Sequence, residues 1–331
     1  MRTSLCLTVL NEEATIDELF RSILAQTRLP DEVVIADGGS HDGTVLRIRA
    51  YQDRLPIRLV AAEGNISTGR NAAIRAATGE IVAVTDAGVR LAPDWLADLA
   101  DAIEGGADVA AGFFLADPRS TFEVAMGATV LPEEREIDPE RFLPSSRSIA
   151  FRRTVWERSG GYPEWLDYCE DLLFDFAYRR AGFREAWVPS AVAHFRPRGS
   201  LRSFWLQYFR YARGDGKADL WRKRQAARYL TYGVAAPLLL LAGLRSRLAW
   251  LVLLAGFLAY LRTPLRRYLR QSASLLPAQR LLGVLWLPVI RVVGDLAKLA
   301  GYPAGVWWRI RRNGARAAEP AGRGGEDSSS G

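Results

Sequence analysis

Glu32-Val33-Val34-Ile35-Ala36-Asp37-Gly38-Gly39-Ser40-His41-Asp42-Gly43-Thr44 is the stretch that decides the fold. Its apolar run is strand-length, and an unbroken apolar run marks a strand buried on both faces. Asp37 ends the strand, two glycines turn the chain, and a helix is expected from about Thr44 to Gln52. The same unit recurs on both sides. Ser4–Leu10 is an apolar strand broken by Asn11-Glu12-Glu13, and Thr15 caps a helix from about Ile16 to Gln26. Ile16, Leu19, Phe20, Ile23 and Leu24 share one face of that helix. Further strands are expected at Ile57–Ala61, Glu80–Thr85 and Ala107–Gly112, with helices opening after Gly64 and at Pro93. This alternation predicts an α/β fold with a doubly wound, mainly parallel sheet.

Three polar clusters hold one position in these units. Asn11-Glu12-Glu13, Asp37 and Asp86 each follow the last apolar residue of a strand. In an open α/β sheet, ligands bind outside the carboxyl ends of the strands. Any single cluster is accounted for by turn chemistry; three at one edge point to a site. A second acidic feature lies in Gly160-Gly161-Tyr162-Pro163-Glu164-Trp165-Leu166-Asp167-Tyr168-Cys169-Glu170-Asp171. A helix is expected from Asp171 to Arg180, with Gly182 as its stop. Asp171 is then either an N-cap carboxylate or a general base held at a cleft.

The chain has 331 residues and a formal net charge of +7. The positive excess is concentrated in Arg196–Arg228 and Arg262–Arg270, on either side of a markedly apolar region. That placement favours the cytoplasmic face of a bilayer over nucleic acid. The cysteines, Cys6 and Cys169, form no metal-ligand or redox spacing, so neither a disulfide nor a structural zinc is expected, which fits a reducing compartment. The first residues are strand-like and carry no cleavage pattern, so no signal peptide is expected. The organisation expected is a catalytic domain over 1–215, a helical membrane-associated region over 216–312 and a disordered tail over 313–331. Within 195–215, Leu201, Phe204, Trp205, Tyr208 and Phe209 recur at helical spacing, as in an interfacial helix. Apolar segments 229–244 and 248–261 are each short against the roughly 20 residues that cross a bilayer. They are expected as tilted spans or a re-entrant hairpin. Leu281–Ala300, broken by Pro288 and charges, is expected to lie at the interface.

Thr8–Glu13, Asp37–Thr44, Gly69-Arg70-Asn71, Thr85-Asp86-Ala87-Gly88 and Gly160-Gly161-Tyr162 with Glu170-Asp171 occur in the order of the motifs of GT-A glycosyltransferases of family 2, which the chain resembles over about 1–215. The resemblance implies an inverting reaction on a nucleotide-diphospho-sugar donor, with a divalent metal, Mn²⁺ or Mg²⁺. It assigns donor binding to Thr8, Leu10, Asn11, Glu13, Asp37, Gly38, Gly39, Ser40, Arg70, Asn71, Asp86 and Ala87. Asp171 would be the base, with Glu170 beside it in the motif. Asp86 matches the first carboxylate of the family's metal-binding DxD, and Gly88 stands where the second is usual. His194 stands where some relatives place a further metal ligand. The acceptor implied is a hydroxyl on a glycan or glycolipid, lipid-linked or of the cell envelope. The location implied is the cell membrane, with the catalytic domain on the cytoplasmic face and no nucleic-acid partner. The alternative is an inactive nucleotide-sugar-binding or assembly protein of the same fold.

Overall fold

The computed structural model describes residues 1–318. In chain order the elements are β1 (Thr3–Val9), α1 (Ile16–Leu24), β2 (Glu32–Asp37), α2 (Thr44–Arg49), β3 (Ile57–Ala61), α3 (Ile66–Ala76), β4 (Ile81–Val84), β5 (Val89–Leu91), α4 (Trp95–Glu104), β6 (Val109–Ala116) and α5 (Thr121–Val130). There follow β7 (Ile149–Arg152), α6 (Arg153–Ser159), α7 (Glu170–Arg180), β8 (Glu185–Phe195), α8 (Leu201–Lys217), α9 (Arg222–Leu230), a π turn at Thr231–Ala235, α10 (Ala236–Gly243), α11 (Arg247–Gln271) and α12 (Pro277–Ala318).

The strands form one sheet in the order β3-β2-β1-β4-β7-β6-β8-β5. β3, β2, β1 and β4 are parallel, as the alternation predicts. β7 then enters antiparallel between β4 and β6, so the sheet is mixed. Alternation along each strand feeds two cores. Leu5, Leu7 and Val9 face α1 and α4 on one side; Cys6, Val34 and Ala36 face α3 and α7 on the other. Parallel pairing brings the ends of β1 and β2 level, with Val9 beside Asp37. Asp86 follows β4 at the same edge.

The C-terminal helices pack on one another and on α5 through Val124, Met126, Phe204, Tyr268, Leu287 and Ile290. Phe204 is fully buried, so α8 is seated against protein along that residue, while Leu201, Trp205, Tyr208 and Phe209 are half-buried. α12 runs unbroken through Pro288 and Pro303, and past 313, where a tail was expected, as far as Ala318; the rest of that tail lies outside the described residues. Each proline removes one helix hydrogen bond, and packing against α8 and α5 compensates. α8 and α12 approach at backbone distance. A Cβ on Gly305 would lie 2.1 Å from the Arg213 carbonyl oxygen, and one on Gly216 2.3 Å from that of Tyr302. Arg222–Gly243 and Arg247–Gln271, at 22 and 25 residues, are long and apolar enough to cross a membrane, and almost none of their apolar length is buried.

Gly305→Val therefore has to separate two backbones. Overpacking of this kind costs about 1–3 kcal/mol or more. Thermal unfolding of the full chain is expected at a clearly lower midpoint, with Gly256→Val, in open space, as the unaffected control.

Candidate active site

The β1 and β2 loops are sewn together by hydrogen bonds. Asn11, held at a φ of 56°, donates its N–H to Ser40 Oγ at 3.0 Å and accepts the His41 N–H on Oδ1 at 2.9 Å. Ser40 in turn donates through N and Oγ to Asp37 Oδ1, at 3.1 and 2.7 Å. Glu13 accepts the Gly43 N–H at 3.0 Å, and a Cβ at Gly43 would collide with that carboxylate. Glu13 thus shapes the loop from behind. Leu10 is exposed at the edge, and Thr8 packs against Gly69, where a Cβ would come within 2.7 Å of its methyl.

Arg70 is the centre of the second half. It lies in the first turns of α3, with its side chain 4% exposed. One terminal nitrogen donates to Glu170 Oε1 at 2.6 Å and the other to Asp86 Oδ1 at 3.0 Å. The Tyr162 ring lies 5.3 Å beneath its guanidinium, and its buried Nε has no partner among the described residues. Glu170 and Asp86 outweigh burial, and the guanidinium is held above its ordinary range. Arg147, which the sequence leaves open between a phosphate contact and a surface charge, takes the other oxygen of Asp86 at 3.2 Å. Its guanidinium lies 4.6 Å over the Phe195 ring, and it faces Tyr211 and Asp171.

Asp171 does not cap its helix. α7 begins at Glu170, and the N-cap is Cys169, in the left-handed region at φ 66°. Asp171 sits inside the first turn and, among the described residues, accepts only the Leu172 N–H, at 2.9 Å. Burial, reinforced by the Glu170 charge, pushes its carboxyl up to about 7, against the pull of Arg70 and Arg147. One turn on, Asp175 is 1% exposed, and its Oδ2 has no partner among the described residues. Burial, then Asp171 and Glu185, raise its carboxyl well above the usual carboxylate range.

Two expectations need correction. Asn71 has no free polar group to offer a donor. Its Oδ1 accepts from Trp156 Nε1 and the Tyr162 N–H at 2.9 and 3.0 Å, and its Nδ2 donates to the Tyr162 carbonyl and Glu164 Oε1 at 2.8 and 2.9 Å. It positions the Gly160–Glu164 loop. Gly161 closes that loop at φ 70°, where a Cβ would strike Trp156 and Asn71. His194 is the second correction. Phe195 turns toward Arg147 and Asp86, so alternation along β8 sends His194 to the opposite face. It lies beside its strand partner Arg90 and near Asp117; burial, then Arg90, holds its imidazole below the usual range. His194 does not join Asp86, and among the described residues no three His, Cys, Asp or Glu side chains are grouped to hold a metal ion. Gly88 is not forced by crowding, since the nearest neighbour of a Cβ there would be Glu12 Oε2 at 3.9 Å.

The comparisons with known proteins agree with this geometry. Residues 4–159 match the model of glycosyl transferase family 2. The succinoglycan biosynthesis protein ExoA of Rhizobium meliloti is 28% identical over 228 residues, covering 63% of this chain and 67% of that protein. The dolichol-phosphate mannosyltransferase of Pyrococcus furiosus is 26% identical over 172 residues, covering 47% and 48% of the two chains. The mannosyltransferase PcManGT of Pyrobaculum calidifontis, solved with GDP-Man and Mn²⁺, superposes with a TM-score of 0.60 at 22% identity, over 90% of this chain and 87% of that one. The sheet is thus that of a GT-A fold. Residues 4–159, somewhat under half of the chain, carry the match to glycosyl transferase family 2, and the relatives and neighbours indicate a glycosyltransferase.

Asp175 gives a test independent of activity. A carboxyl whose folded pKa is raised contributes stability that is whole below its unfolded value and is lost as pH rises through the folded one. Wild type is therefore expected to lose stability as pH climbs above the carboxylate range, and Asp175→Asn to flatten that decline. Urea unfolding across pH measures both slopes.

Proposed function

We propose that the chain transfers a sugar from a nucleotide-diphospho-sugar to an acceptor hydroxyl, with inversion, at the cytoplasmic face of a membrane. The observation that carries the proposal is Arg70, which joins Asp86 to Glu170 next to an aspartate of raised basicity. In this scheme Asp37 accepts a nucleobase N–H, while Leu10, Asn11 and the Gly38-Gly39 backbone wall the pocket. Arg70 and Arg147 are the cations available to a diphosphate at Asp86. Asp171 takes the acceptor hydroxyl proton as that oxygen attacks the anomeric carbon. The bond to the diphosphate oxygen breaks, and the nucleoside diphosphate leaves with the electron pair from the opposite face. One displacement inverts the centre.

A divalent ion fits Asp86 as a single-carboxylate site completed by donor phosphates, a common way to hold Mg²⁺. Bound there, it would offset charge on the departing diphosphate. The Mn²⁺ and GDP-Man of the Pyrobaculum enzyme support this choice of ligands. Membrane association is supported by the α9–α11 hairpin. Leu238, Leu241, Leu244, Leu248, Leu251 and Leu258 are all exposed along it, and its two outer ends carry the basic blocks. A lipid-linked acceptor is supported by the same hairpin, which directly follows the catalytic domain, and by the name of the Pyrococcus relative.

Three measurements test the scheme. Asp171→Asn is expected to lower transfer about 10²–10⁴-fold without loss of nucleotide binding. The wild-type kcat/KM is expected to fall as pH drops below about 7, because the base must be ionised. Equal rates in the two proteins would remove Asp171 from the chemistry. Gly88→Asp adds a second carboxylate in open space, so it is expected to raise Mn²⁺ affinity in calorimetric titration; an unchanged affinity would contradict Asp86 as the metal carboxylate.

A further inference from the structure

A second charged cluster lies where α12 meets α8 and the feet of the apolar hairpin. Asp295 on α12 is fully engaged. It accepts Arg228 Nε at 2.9 Å, the Tyr260 hydroxyl at 2.5 Å and the Tyr232 hydroxyl at 3.1 Å. Tyr232 begins the first apolar stretch and Tyr260 ends the second. These tyrosines mark the level at which aromatic side chains sit between hydrocarbon and water. On the same face of α12, one turn to either side, stand Arg291 and Lys298. Both are half-buried, and neither has a carboxylate within ion-pair distance among the described residues. Arg291 lies 4.7 Å over the Tyr260 ring, with its buried Nε unpartnered. Lys298 lies 4.9 Å over the Tyr208 ring. Burial, with Arg228 and Arg291 acting in the same direction, pushes its ammonium down to about 8.

Arg228, Arg291 and Lys298 thus gather around Asp295, with Asp215 near Lys298. Asp215, the other acid near Lys298, is pushed up to about 6 by burial and still carries its charge at neutral pH, so the three cations exceed the acids by one. Desolvated positive charge in excess is costly unless an anion joins it. The cluster also borders the active site. Tyr208 stacks edge-on to Tyr211 at 5.7 Å, Arg147 faces Tyr211, and the Cys169 thiol before Glu170 donates to Asp215 at 3.4 Å.

We propose that Arg291 and Lys298, with Arg228 behind them, bind the phosphate or diphosphate of a lipid-linked acceptor, whose hydrocarbon lies along the α9–α11 hairpin and whose hydroxyl passes over Tyr208 and Tyr211 to Asp171. This rests on the transferase scheme above and names where its acceptor is held. Guanidinium and ammonium groups recognise phosphate oxygens directly, and the tyrosine rings form an apolar wall beneath them.

The test uses the full chain in maltoside micelles, with farnesyl monophosphate as probe and tryptophan fluorescence as readout. Farnesyl phosphate is expected to bind saturably, with farnesol and inorganic phosphate each at least about tenfold weaker. Arg291→Gln with Lys298→Gln is expected to weaken the probe about tenfold or more, the loss of charge-assisted hydrogen bonds. Arg291→Lys with Lys298→Arg should largely retain it. Unchanged binding in the double glutamine variant, or equal binding of farnesol, overturns the proposal. So does displacement of the probe by phosphatidylglycerol at equal concentration, which would mean a general headgroup patch. Should the glutamine variant not fold, a photoreactive farnesyl phosphate on wild type decides. Adducts on α8, α11 or α12 that unlabelled probe suppresses support the site, and adducts elsewhere overturn it. UDP and GDP binding is measured alongside; its absence with intact farnesyl phosphate binding would defeat the transferase scheme and leave this site standing.

Discussion

The guanidinium of Arg70 is the constraint on which the site depends. A buried cation must be paired, and removing a partner from such a pair leaves a costly uncompensated charge. Here the partners come from separate parts of the chain, Asp86 from the end of β4 and Glu170 from the start of α7. α3 holds the cation between them. The ion triad therefore fixes where α7 begins, and with it the position of Asp171 one residue on. Asn71, the next residue of α3, secures the loop that leads into α7. Two adjacent side chains of one helix thus set both ends of the acidic segment.

Much of this was legible in the sequence because it rests on local rules. Buried parallel strands are short apolar runs, and β1 to β4 appeared within a residue or two of where those runs lie. The convergence of Asn11, Asp37 and Asp86 followed from the rule that sites gather at the carboxyl ends of strands. What was missed lacks a local signature. α5 is buried over nearly its whole length, Glu123 included, so it shows no amphipathic period. The antiparallel entry of β7, a strand of four residues, is a choice made by tertiary pairing. Arg147 was open in the sequence between a phosphate contact and a surface charge, and only the path of the chain before β7 past Asp86 decides it. His194 was misplaced by one step of strand alternation, and Asn71 by hydrogen bonds that only the folded loop supplies.

The C-terminal half is not an appendage in energetic terms. α8 carries Asp167's partners Arg213 and Lys217, and it lies against Cys169 through Tyr211 and Asp215. The same helix is packed along α12 at glycine distance. A change at the feet of the apolar hairpin reaches the start of α7 through α8, without crossing the sheet. In the scheme proposed above, that arrangement suits an enzyme whose two substrates differ in phase, a soluble donor at the strand ends and an acceptor rising from the helical side.

A double-mutant cycle on Arg70 and Glu170 tests the central role of the ion triad most directly. Unfolding free energies of Arg70→Gln, Glu170→Gln and the double variant would be measured in urea. Each single change is expected to cost several kcal/mol by leaving a buried charge, and the double change little more than either, with a coupling of about 2–3 kcal/mol. Single costs that simply add would show that the two side chains stand independently, and would contradict the account.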